Sequence, residues 1–64
     1  MKEFDVVSLK SASFGLPSGA IGTIVHVQIK QKVFLVEFCD SRGRTLALEN
    51  LSCNELELVT AYDG

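Results

Sequence analysis

The chain has 64 residues, which is room for one domain with a small core. Six basic residues against eight acidic give a net charge of −2, without the positive excess that phosphate neutralisation demands of a nucleic-acid binder, and a hydrophobic fraction of 47% argues against disorder. No apolar run approaches the ~20 residues of a membrane span. The N-terminus Met1-Lys2-Glu3-Phe4-Asp5 has charges where a secretory h-region would sit, so a cytoplasmic chain with Cys39 and Cys53 reduced is expected.

Phe4 to Leu9 reads as the first strand, with Val7 and Leu9 on its inward face. Lys10 to Ser18 is a Ser/Ala/Gly/Pro loop without helical period. Leu16 and Ile21 are its expected anchors to the core. Gly15, Gly19 and Gly22 crowd the approach to a β-branched run, and Gly22 to Ile29 reads as the second, central strand. Val25, Val27 and Ile29 alternate with His26 and Gln28, while Ile24 is out of phase. A β-bulge near Ile24 and Val25 would let Ile24 and Val27 both face inward. Lys30-Gln31-Lys32 is a polar hairpin connection.

Val33 to Cys39 is the third strand. The charge on Glu37 marks one face as outward, which sends Phe34, Val36 and Phe38 to the core and leaves Leu35 and Cys39 outside. Asp40-Ser41-Arg42-Gly43 has the residues of a type I turn. Arg44 to Glu49 is the fourth strand, with Leu46 and Leu48 expected inward. Ser52 and Glu55 have capping-box spacing, enough for one helical turn before a closing strand from Leu56 to Val59. The ordered core is thus residues 4–59 of a single domain, and residues 60–64 are expected to be a loose tail.

No catalytic, cofactor-binding or metal-binding constellation emerges. The glycines precede a strand, where a phosphate loop needs a helix N-terminus. His26 is the only histidine and no motif sets a nucleophile beside it. Two cysteines and one histidine lack the close spacing of a zinc site. The basic pairs Lys30/Lys32 and Arg42/Arg44 sit on turns at opposite ends of the third strand. Seven residues at ~3.3 Å each hold them about 20 Å apart, too far to act as one patch.

Gly19-Ala20-Ile21-Gly22-Thr23-Ile24-Val25 is similar to the G-x-x-G-x-V signature of KOW-type barrels. The pieces Asp5-Val6-Val7-Ser8-Leu9, Gly15-Leu16, Gly19 to Val27, and Val36 to Leu48 with its Gly-Arg-Thr-x-Ala-Leu segment resemble, in order, the bacterial domain-of-unknown-function 4926 family. This resemblance implies an all-β fold, a five-stranded, SH3-like, partly open barrel with a single short helical turn before the last strand. It brings no activity and no site residues. SH3-like barrels bind through the first loop and nearby aromatics, here Phe14 and Tyr62. With the outward apolar residues Leu35 and Cys39, and Arg42 placed to meet a carboxylate, the expectation is a non-enzymatic protein-interaction module. It would be antitoxin-like or an accessory subunit, with a protein partner or a second copy and no small-molecule substrate. The alternative is a KOW-like nucleic-acid-binding module.

Overall fold

The computed structural model describes all 64 residues, Met1–Gly64. Its strands are β1 (Val6–Leu9), β2 (Ile21–Gln28), β3 (Val33–Cys39), β4 (Thr45–Ser52) and β5 (Leu56–Thr60), with one 3-10 turn, Cys53–Glu55, before β5. They form one antiparallel sheet in the order β4-β3-β2-β1-β5. Because β4 and β5 do not pair, the sheet is not closed, as expected of a partly open barrel.

Seven side chains make the core: Val7, Leu9, Ile24, Val36, Phe38, Leu51 and Leu56, with Leu16, Ala20, Val27, Phe34 and Ala47 packed against it. The bulge lies where two consecutive β-branched residues break the alternation. Ile24 pairs with Val36 and His26 with Leu35, which leaves Val25 as the extra residue. The slip of one position puts Ile24 and Val27 on the same, inward face. Gly22 is buried opposite Phe38. A Cβ there would lie 2.6 Å from Val36 Cγ1, so the position requires a residue without a side chain.

Strand β4 has the opposite phase to the one expected. Leu46 and Leu48 are 57% and 53% exposed, while Leu51 is fully buried and Ala47 packs on the core. The cause is a register shift beside the Asp40–Gly43 turn: Cys39 pairs with Thr45 but Phe38 pairs with Ala47, so Leu46 is an extra residue. One inserted residue moves every later side chain to the other face. The strand also runs three residues past Glu49, to Ser52, which is what brings Leu51 inside.

Other boundaries move for local reasons. Ile29 is 83% exposed and belongs to the β2–β3 turn, closed by Lys32 N–H donating to the Ile29 carbonyl at 3.2 Å. Ile21 faces out, because Gly22 and Ile24 take the inward positions of β2, and Leu16 and Ala20 anchor the loop instead. Phe4 has a left-handed backbone (φ 73°) and precedes β1. Its N–H nevertheless reaches the Ile24 carbonyl at 2.6 Å. At the C-terminus Thr60 closes β5, and the Tyr62 ring meets Phe4 edge-on at 5.4 Å between centroids.

Candidate functional site

The turn after β3 is built by Asp40. Its Oδ1 accepts the backbone N–H groups of Arg42 (2.8 Å) and Arg44 (2.9 Å), and its Oδ2 accepts Arg44 Nε (2.9 Å). These bonds, the Arg44 N–H first, favour the carboxylate and hold its pKa below the ordinary value. Gly43, at φ 79°, takes the left-handed position that lets the chain return. Arg42 is thereby held at the tip of the turn. Arg44 is committed to Asp40.

Around this turn the outer face of the sheet carries exposed apolar side chains among polar ones. Glu37 pairs with Leu48 and donor Thr45 Oγ1 bonds the Glu37 carboxylate diagonally across the strands. One step beyond the Gly22–Phe38 pair, Ile21 stands beside Cys39 at the end of β3. Ile21, Leu46 and Leu48 are each more than half exposed, and Cys39 is exposed with a free thiol. The first loop re-enters the sheet at this same point. Its tip is a tight turn in which Ser13 and Leu16 exchange backbone hydrogen bonds of 3.0 and 2.8 Å, with Phe14 and Gly15 both at positive φ. That pattern is a type I′ turn, and it presents the Phe14 ring half exposed.

Of the expected interaction residues, the structure therefore gathers Cys39 and Arg42 at one end of the sheet, beside the base of the loop that carries Phe14. Leu35 lies four residues back along β3, about 13 Å at strand rise, half-buried between His26 and Asn50. Tyr62 stands apart, against Phe4 at the start of β1. Ile21, Leu46 and Leu48 were not anticipated as surface residues. Their signal, an apolar residue on the face already marked by Glu37, becomes readable only with the β3–β4 register in hand.

A second polar centre ties the chain ends together. Asp5 is almost wholly buried; its Oδ1 accepts Lys2 Nζ (2.6 Å) and the Tyr62 N–H (2.7 Å), and its Oδ2 accepts the Lys2 N–H (3.0 Å). The Lys2 ammonium, with Tyr62 next, lowers the Asp5 pKa to about 2. A folded-state pKa below the unfolded value of ~3.9 means that the contribution is complete above pH ~4 and is lost as pH falls towards 2. Asp5→Asn is therefore expected to lower the urea midpoint at pH 7 and to flatten the decline between pH 4 and 2. Parallel wild-type and variant pH profiles would show that Asp5 does not act this way.

A shallow cleft of about 170 Å³ lies between the first loop and the 3-10 turn, lined by Leu9, Lys10, Ser11, Ser13, Asn54 and Glu55. It is smaller than the ~300–1,000 Å³ of small-molecule pockets and fits a single side chain. No three His, Cys, Asp or Glu side chains come together as metal ligands. No helix is long and apolar enough to cross a membrane.

No curated protein and no solved structure matches the chain. A family model does: the one described as a domain of unknown function (DUF4926) matches residues 3–58, which reach from just before Phe4 to Leu58 in β5 and take in the whole sheet but its last two residues, and the chain belongs to that family.

Proposed function

We propose that the protein is a small interaction module that binds a protein partner with the outer face of the sheet at the Asp40–Gly43 end. The observation that carries this reading is the concentration there of Ile21, Cys39, Leu46 and Leu48, all exposed, in a domain whose core has only seven residues. Clustered exposed apolar side chains are a feature of interaction sites. Phe14 adds a half-exposed aromatic anchor on the adjoining loop, and Arg42 a cation at the rim for a partner carboxylate. An antitoxin-like or accessory-subunit role is a specific form of the same reading.

The electrostatics favour a protein over a nucleic acid. Lys30 and Lys32 are separated from Arg42 by the full seven residues of β3, and Arg44 is paired with Asp40 at 2.9 Å. No continuous basic surface tracks a phosphate backbone.

Affinity capture from the native host with tagged wild type, compared with Ile21→Asp and Phe14→Ala, tests the reading. Both substitutions are expected to keep the unfolding midpoint, since the side chains are half exposed, and to weaken capture of the same partner more than tenfold. Unchanged capture by both variants would overturn the surface. RNA binding at physiological salt, abolished by Lys32→Ala or Arg42→Ala, would replace the protein partner with a nucleic acid.

A further inference from the structure

Three residues other than glycine have a left-handed backbone: Phe4 (φ 73°), Phe14 (φ 56°) and Lys32 (φ 57°). A Cβ in this region crowds the following carbonyl oxygen, and bulky residues are uncommon there. Lys32 is an exposed polar residue of the β2–β3 turn, and the Phe4 ring is stacked on Tyr62. The Phe14 ring pairs with no other aromatic, and Phe14 is outside the core cluster and the side chains packed on it. It is 49% exposed.

The turn makes phenylalanine an unfavourable choice for this position. Both central residues of a two-residue type I′ turn need positive φ, so asparagine followed by glycine is preferred there. Gly15 (φ 75°) meets the requirement at the second position. Phe14 stands at the first, where asparagine would fit with less strain. No core contact offsets that strain. Backbone strain of this kind clusters at ligand clamps and other functional sites.

We infer, resting on the protein-interaction reading, that Phe14 is the principal anchor of that site, held in strain at the hairpin tip, and that the partner is a protein with an apolar pocket that closes around the ring. The neighbours decide between a pocket and a flat contact. Ser11, Ala12, Ser13 and Gly15 are all small, so the ring projects from the tip with no side chain of its own height beside it. A flat partner surface would touch only the end of such a ring, whereas a pocket covers the half that is in solvent. Ser13 and Leu16 close the turn with backbone bonds of 3.0 and 2.8 Å. The anchor is therefore presented on a backbone already fixed, and little ordering is left for the binding step.

The test measures two quantities on wild type, Phe14→Asn, Phe14→Trp and Ile21→Asp: the urea midpoint, and the amount captured of the protein that tagged wild type takes from the native host. Phe14→Asn is expected to raise the midpoint by roughly 0.3–1 M, as the left-handed strain is relieved, and to weaken capture more than tenfold. A side chain that served the fold would instead lower the midpoint when replaced. Phe14→Trp keeps the Cβ and hence the strain, so its midpoint should stay close to wild type. A pocket shaped to a phenyl ring rejects the larger indole, and capture should fall about fivefold or more. A midpoint for Phe14→Asn at or below wild type overturns the strain. Capture kept by Phe14→Asn but lost by Ile21→Asp overturns the anchor and leaves the surface standing. Capture that Phe14→Trp keeps or improves overturns the pocket. No capture by wild type, or capture kept by both Phe14→Asn and Ile21→Asp, overturns the interaction reading and the anchor with it.

Discussion

Phe38→Ala is expected to be the most damaging single truncation in this protein. The ring is 1% exposed at the centre of the sheet, where β3 meets Gly22 of β2 and Ala47 of β4. Phe→Ala in a core costs about 3–5 kcal/mol, from lost burial plus the cavity left behind. Small domains have roughly 5 kcal/mol or little more in total, so the variant should be largely unfolded at room temperature or shift its urea midpoint by more than half. Val36→Ala, two methyl groups smaller at the fully buried neighbouring site, should cost roughly 2 kcal/mol. Leu46→Ala, on the exposed bulge, should stay within about 0.5 kcal/mol of wild type. A midpoint for Phe38→Ala within a tenth of the wild-type value would mean that the inward face of β3 is wrongly assigned.

Gly22→Val is expected to come next, by the opposite mechanism. The position does not use glycine's conformational freedom; it uses the missing side chain. A Cβ would stand 2.6 Å from Val36 Cγ1 and 2.9 Å from Phe38 Cδ1 and Cε1, closer than real atoms pack. Overfilling a packed core costs typically ~1–3 kcal/mol, and valine brings two further methyl groups into the same space. The mechanism has a signature in a double-mutant cycle. Gly22→Ala and Val36→Ala should each destabilise, but together by less than their sum, because truncating Val36 removes the nearest clashing atom. Coupling of about 0.5 kcal/mol or more is expected for residues in contact. Strict additivity, measured from urea midpoints, would show that Gly22 is needed for some reason other than this contact.

These two sites differ in how far they could be read in advance. The inward phase of β3 follows from its own residues, since Glu37 marks the outer face and Phe34, Val36 and Phe38 alternate with it. Gly22 stands out in the sequence only as one of three glycines before a β-branched run; that it is needed for close packing follows from Val36 and Phe38 against it. The candidate surface was legible only in part. Cys39 and Arg42 lie at the turn that Asp40 and Gly43 announce. Leu46 and Leu48 pointed the wrong way, and Ile21 passed for a core anchor.

What the sequence determined by itself is what neighbouring residues settle between them. The out-of-phase pair Ile24-Val25 requires a bulge, Asp40 and Gly43 require a turn, and Glu55 three residues after Ser52 reaches back to the Ser52 N–H, here at 3.1 Å. Everything that depends on pairing across strands was decided by the tertiary structure. The alternation in Thr45–Ser52 favours Leu46 and Leu48 inward, and a single extra residue at Leu46 selected the other phase, the one that buries Leu51. Asp5 looked like an ordinary polar residue at a strand start. It is buried because its partner, the Tyr62 N–H, arrives from 57 residues away, and a buried carboxylate is tolerated only once such donors are in place.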